Sequence, residues 1–291
     1  MSSEANKKKV RIGLVQMAAS KDPEDNLRRA LEKTRMAARK GAQIICLQEL
    51  YRSLYFPQAE RDKAAHLAET IPGPSTEAFS RLAKTQGVVV IVPLFEKAAD
   101  GRFYNSAAVL NEEGKLLPVY RKIHIPQDPL FYEKNYFEAG DRGFQVYKTR
   151  HASFAVLICY DQWFPEAARI GTLHGADILF YPTAIGRIKG YRPPEGDWRE
   201  AWITIQRSHA IANGSHVAAV NRVGKEGELE FWGSSFVCDA FGNILKQASR
   251  SREETLVVDA DLSQNEKVRK EWGFLRNRRP DSYAPLVGAL K

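Results

Sequence analysis

Short apolar runs alternating with helix-forming segments are what most restrict the folds open to this chain. Ile44 to Leu47, Val88 to Leu94, Ala152 to Ile158, Asp177 to Tyr181 and His216 to Asn221 are strand-length and mostly apolar, as buried strands are. Helical marks lie between them. Asp22 caps a helix with Pro23 in its first turn; Leu27, Ala30, Leu31, Thr34 and Ala38 share one face, and Gly41 ends it. Pro74-Ser75 opens a helix through Lys84, and Pro165 opens another before Ala167-Ala168-Arg169-Ile170. Trp198, Ala201, Trp202, Ile205, His209 and Ala212 share a face of a later helix, and the polar stretch Ala59 to Glu69 predicts a further one. Helices between strands in both halves require sheets covered by helices, an α/β layered fold.

Val10 to Met17, Phe103 to Leu110, Lys115 to Tyr120, Ser234 to Cys238, Ile244 to Gln247 and Thr255 to Val258 complete the expected strands. Turns are expected at Asn111-Glu112-Glu113-Gly114 and Phe241-Gly242-Asn243. Pro126 to Arg142 and Ala184 to Asp197 read as irregular segments, the second rich in glycine and proline. No linker, composition shift or fixed-period repeat divides the 291 residues, so one domain is expected over 1–291.

Three cysteines at wide spacing, Cys46, Cys159 and Cys238, argue against a disulfide framework or a zinc cluster. His-Glu-x-x-His and the glycine-rich phosphate loops do not occur, and His124, His174 and His209 are scattered, so neither metal nor organic cofactor is expected. The N-terminus has no apolar signal region and no run approaches the roughly 20 residues that span a bilayer. Cytoplasm is the expected compartment, with no membrane partner. The net charge of +8 concentrates at Lys7, Lys8 and Lys9 and at Lys267, Arg269, Lys270, Arg276, Arg278 and Arg279. Neither cluster accompanies a nucleic-acid-binding motif, so solvated surface or subunit contact is the expectation.

The chemistry concentrates after three strands. Cys159 follows the run Ala152 to Ile158 and stands close to a helix start, where a dipole and free backbone amides favour a thiolate and an oxyanion. Glu49 follows Ile44 to Leu47, and Lys122 follows the meander. A carboxylate can take a thiol proton and return one to a leaving amine, while an ammonium and a backbone amide stabilise a tetrahedral oxyanion. Cys46 and Cys238 lie inside apolar runs and read as inert core residues.

These residues resemble the nitrilase superfamily of carbon–nitrogen hydrolases, whose catalytic glutamate, lysine and cysteine occur in this order. The likeness runs from Ile12-Gly13-Leu14-Val15-Gln16-Met17 to the last strand. It is closest to the N-carbamoylputrescine amidohydrolase branch at Tyr120-Arg121-Lys122-Ile123-His124-Ile125-Pro126, Tyr132-Glu133-Lys134-Asn135-Tyr136-Phe137, Gly140-Asp141-Arg142-Gly143-Phe144, Cys159-Tyr160-Asp161-Gln162-Trp163-Phe164-Pro165-Glu166 and Tyr181-Pro182-Thr183-Ala184-Ile185-Gly186. The resemblance implies a four-layer α-β-β-α sandwich in which Glu49, Lys122 and Cys159 are catalytic. It implies that Glu133 positions the lysine and substrate, although a salt bridge with Lys134 or Arg142 is the plainer role for that glutamate. It also implies a homodimer or larger even-numbered oligomer, with the basic N-terminal extension (about 1–9) and the C-terminal tail (about 262–291) at subunit contacts.

The implied reaction is thiol-dependent cleavage of an N-carbamoyl amine through a thioester. Tyr160, Trp163 and Glu195 are the candidate substrate-binding residues. Relatives acting on N-carbamoyl-α-amino acids carry arginines just after Cys-x-Asp; Gln162 and Trp163 here favour a substrate without that carboxylate. Against the polyamine expectation stands the basic run Arg187, Lys189 and Arg192, with acids only later at Glu195 and Asp197. N-carbamoyl-β-alanine or an aliphatic amide is the alternative substrate, and a catalytically silent interaction protein of the same fold is the alternative of another class.

Overall fold

The computed structural model describes residues 9–60 and 64–288. Strand β1 (Lys9–Gln16) leads into helix α1 (Pro23–Arg39), β2 (Ile44–Leu47), α2 (Pro74–Gln86), the hairpin β3 (Val89–Lys97) and β4 (Phe103–Leu110), and the short β5 (Tyr120–Arg121). The second half runs β6 (Val146–Lys148), β7 (Ser153–Val156), α3 (Pro165–Leu173), β8 (Ile178–Thr183), β9 (Gly186–Ile188), α4 (Trp198–Asn213) and β10 (His216–Asn221). It ends with β11 (Val223–Glu226), β12 (Leu229–Trp232), β13 (Phe236–Cys238), β14 (Ile244–Gln247), β15 (Glu254–Asp261) and α5 (Ser263–Trp272).

Two six-stranded sheets result, ordered β15-β1-β2-β3-β4-β5 and β14-β13-β10-β8-β7-β6. Each has a parallel centre, β1-β2-β3 or β7-β8-β10, and antiparallel edges. Side-chain alternation assigns the faces. Val10, Ile12, Leu14, Ile44, Cys46, Val89 and Ile91 share a core with Phe154, Val156, Ile178 and Phe180 of the other sheet. The intervening Val15, Ile45, Leu47, Val90 and Val92 pack on α1 and α2 through Leu27, Ala30, Ala37, Phe79, Leu82 and Ala83. On the far side, α3 and α4 cover the second sheet with Ala167, Ala168, Trp202 and Ala210. The layers are therefore α-β-β-α, as the resemblance implies. Gly13 permits the α1–sheet approach, since a Cβ there would stand 2.9 Å from that of Ala42.

The sequence reading departs from the structure at several elements. Ala59 to Glu69 holds no α-helix among the described residues, only a 3-10 turn at Ala64–Leu67, with another at Phe56–Gln58 just before it. Its polar residues supply no apolar stripe to bury. Lys115 to Tyr120 pairs through a single bridge at Leu116, and the strand itself is Tyr120–Arg121. On α4 the buried face is Trp202, Ile203, Gln206, His209, Ala210 and Asn213, while Ala201 is exposed. The stretch taken as irregular loop contains β9, which joins β11 and β12 in a third, three-stranded sheet. Lys7 and Lys8 lie outside the described residues. Arg269 of the C-terminal cluster is committed internally, donating to the Ser215 hydroxyl at 2.7 Å and the Ala176 carbonyl at 2.9 Å. No helix among the described residues is long and apolar enough to cross a membrane.

Candidate active site

Strands of the two sheets, parallel β2 and β7 and the antiparallel edge β5, deliver the chemistry just beyond their carboxyl ends. Glu49 stands two residues after β2, Lys122 one residue after β5, and Cys159 three residues after β7. Glu133 opens a 3-10 turn in the long segment between β5 and β6. Lys122 Nζ lies 2.9 Å from Glu49 Oε1 and 2.6 Å from Glu133 Oε2, with all three side chains buried. Glu133 thus meets Lys122, not Lys134 or Arg142.

Sequence reasoning did not identify the residues that hold this cluster. Asn105 Nδ2 donates to Glu49 Oε1 at 2.7 Å, and the Tyr55 hydroxyl donates to Glu133 Oε1 at 2.7 Å. Glu49 Oε2 is buried without a hydrogen-bond partner, leaving one carboxylate oxygen free to take a proton. The loop carrying Glu49 is clamped by the buried Arg222. Its guanidinium donates to the carbonyls of Glu49, Leu50 and Ser53 and pairs with Glu226, which accepts from the Tyr55 backbone at 2.6 Å. No short-range motif marks Asn105, Tyr55 or Arg222; the fold brings them in from 56, 78 and 172–173 residues away.

Cys159 sits in a strained turn. Its φ of +42° is in the left-handed region that non-glycine residues seldom occupy, as is that of Leu50 at +47° beside Glu49. Asp161 stabilises the turn, accepting from the Ile158 backbone at 2.8 Å, the Tyr120 hydroxyl at 2.6 Å and the His124 backbone at 3.0 Å, with His124 Nδ1 at 2.7 Å. His124 therefore has a structural place, stacked on Phe164 at 3.7 Å between ring centroids. The helical turn Cys159–Trp163 begins at the nucleophile candidate, and the first N–H groups of such a turn have no acceptor within it.

The electrostatics correct one expectation. The turn after Cys159 is a five-residue 3-10 helix, and α3 begins only at Pro165. Burial, followed by the charge of Glu49, pushes the Cys159 thiol well above its ordinary range, against the pull of Lys122. This environment favours the neutral thiol over the thiolate that a helix start favours. Burial opposes the Lys122 ammonium, but Glu133 and Glu49 outweigh it and raise its pKa. Burial likewise raises Glu133, although Lys122 opposes the shift.

Cys159 and Glu133 line a cavity of about 650 Å³ with Tyr160, Trp163, Glu195, Trp198, Phe131 and Asp128. The three substrate-binding candidates Tyr160, Trp163 and Glu195 thus share one cavity with the cysteine, and Asp128 joins them unforeseen. Gln162 also reaches this wall, but its Oε1 accepts from Trp202 Nε1 at 2.8 Å and Gln206 Nε2 at 3.0 Å, so much of it serves the core. Arg187, Lys189 and Arg192 do not line this cavity; Arg187 pairs with Glu230 at 2.8 Å. Among the described residues no group of His, Cys, Asp and Glu is arranged to hold a metal.

Comparison with known proteins gives concordant matches. The family model described as carbon-nitrogen hydrolase matches residues 11–270. An N-carbamoylputrescine amidase from Solanum lycopersicum is 41% identical, over 96% of this chain and 95% of that one. A citrullinase from Francisella tularensis is 37% identical over 96% of this chain and 98% of its own length. A crystal structure of a carbon–nitrogen hydrolase from Helicobacter pylori G27 superposes with a TM-score of 0.92 at 42% identity, covering 97% of this chain and 100% of that one.

Proposed function

The chain belongs to the carbon–nitrogen hydrolase family, an amidohydrolase acting on non-peptide C–N bonds, and on that premise we propose that Cys159 attacks the carbamoyl carbon of an N-carbamoyl amine. Glu49 takes the thiol proton as the sulfur–carbon bond forms, because a neutral buried thiol is a poor nucleophile without a base. Its unpartnered Oε2 supports that role. Lys122 and the Tyr160 backbone amide stabilise the oxyanion, and Glu133, braced by Tyr55, positions the lysine. Glu49 then protonates the departing amine as the C–N bond breaks. Water, deprotonated by Glu49, hydrolyses the thioester to carbamic acid, which decomposes to carbon dioxide and ammonia.

One observation carries the choice of substrate. Among the described residues, the charged side chains that line the cavity holding Cys159 are Asp128, Glu133 and Glu195, with no lysine or arginine beside them. Glu133 is engaged by Lys122, and Glu195 accepts from Trp198 Nε1 at 2.6 Å. The Asp128 carboxylate has no partner among the described residues. Such a wall suits a distal ammonium, with methylenes along Trp163 and Phe131, and gives a carboxylate no counter-charge. N-carbamoylputrescine is therefore the proposed substrate. Citrulline and N-carbamoyl-β-alanine both carry a carboxylate that the cavity does not neutralise. Exposed Trp272, Leu286 and Val287 support the C-terminal segment as a subunit contact in a homo-oligomer.

Alkylation with iodoacetamide tests nucleophile and ligand together. Cys46 and Cys238 are fully buried, so inactivation should track one modified thiol, Cys159. N-carbamoylputrescine should slow it and N-carbamoyl-β-alanine should not. Full activity with Cys159 alkylated, or protection by the anion alone, would overturn the reading.

A further inference from the structure

A second cavity, of about 530 Å³, shares Ile188, Tyr191 and Trp198 with the wall of the first. Its polar lining is of the opposite character. Arg187, Arg192, Arg199 and Arg250 converge on it. Its two carboxylates are already engaged: Asp197 caps α4 by accepting from the Arg199 and Glu200 backbones, and Glu230 pairs with Arg187. The guanidinium groups of Arg192, Arg199 and Arg250 have no hydrogen bond or ion pair among the described residues, although Arg199 is half-buried. Trp232, only 8% exposed, also lines this cavity, and its buried indole N–H has no acceptor among the described residues.

Every uncommitted charged group here is a donor. Converging guanidinium groups repel one another unless an anion sits between them, and their fork geometry matches carboxylate and phosphate oxygens. We infer that this cavity binds a small oxyanion bearing at least two negative charges, beside the catalytic pocket and separate from it. The two sites differ in sign across one wall, so an anionic group is drawn to the arginine side and a cationic one to the side of Asp128 and Glu195. Arg187 and Arg192 of the basic run after β8 thereby acquire a role that catalytic substrate binding does not require.

Isothermal titration of the full chain with pyrophosphate and with citrate tests the site and separates phosphate from carboxylate chemistry. At least one of them should bind saturably at one site per chain. The R192Q/R250Q double variant should weaken binding by roughly tenfold or more, since it removes two charged hydrogen-bond donors from the anion. The R35Q/R39Q variant, which removes two exposed arginines of α1, should bind like wild type. Alkylating Cys159 should leave anion binding intact, and thermal melts check that each variant is folded. The proposal is overturned by no saturable binding of either anion, by equal weakening in both variants, or by loss of binding on alkylation.

Discussion

In the proposed mechanism, the neutral thiol of Cys159 makes proton transfer to Glu49 part of the attack. Glu49→Gln keeps the shape and loses the base, so acylation should fall by roughly 10²–10⁴-fold. Lys122→Ala should cost a comparable factor, and the double variant less than the product, because both residues act on one transition state. Multiplicative losses in stopped-flow acylation would argue against that coupling. Burial raises Glu133, so acidification protonates it above the ordinary carboxylate range, and activity should fall at that pH. Lys122 is raised as well, so its ammonium persists through the ordinary lysine range and sets no alkaline limit there. The acid limb of kcat/KM should move down in Glu133→Gln; an unmoved limb would assign it elsewhere. Glu49, Lys122 and Cys159 were legible in the sequence because each follows a recognisable strand, whereas Glu133 was marked only by the family resemblance. The sulfur's protonation state was not legible, since burial depends on packing from the whole fold.

The turn Cys159–Trp163 is the element on which this geometry depends. Asp161 carries it, tying the Ile158 backbone, Tyr120 and His124 to one buried carboxylate. Asp161→Ala strands these donors at about 1–3 kcal/mol each, partly relieved by relaxation, so destabilisation of roughly 2–4 kcal/mol is expected by urea denaturation. Turnover should fall together with stability, while Asp161→Asn should recover part of both. A variant as stable as wild type would show that the turn holds without Asp161. Gly13→Val should also destabilise, by about 1–3 kcal/mol, by wedging β1 from Ala42 and Ala37. The sequence showed strand, turn and helix around Cys159, but not what Asp161 would hold. Its partners Tyr120 and His124 lie 41 and 37 residues earlier and meet it only when the two sheets stack.

Across the whole molecule, the two large sheets were readable because their central strands are buried on both faces and stand out as apolar runs. The third sheet was not. Its strands carry Arg187, Lys225, Glu226 and Glu230 and look like loop, yet β9 forms part of the wall between the acidic and basic cavities. That division of charge is what the substrate assignment rests on. It is tested most directly by kcat/KM for N-carbamoylputrescine against N-carbamoyl-β-alanine, measured as ammonia release on wild type and on the Asp128→Asn/Glu195→Gln variant. The cationic substrate should be preferred by one to two decades in wild type, the equivalent of a charged hydrogen bond of about 1.5–3 kcal/mol. That preference should shrink toward parity in the variant. Preference for the anionic substrate, or a ratio that ignores both carboxylates, would contradict the account.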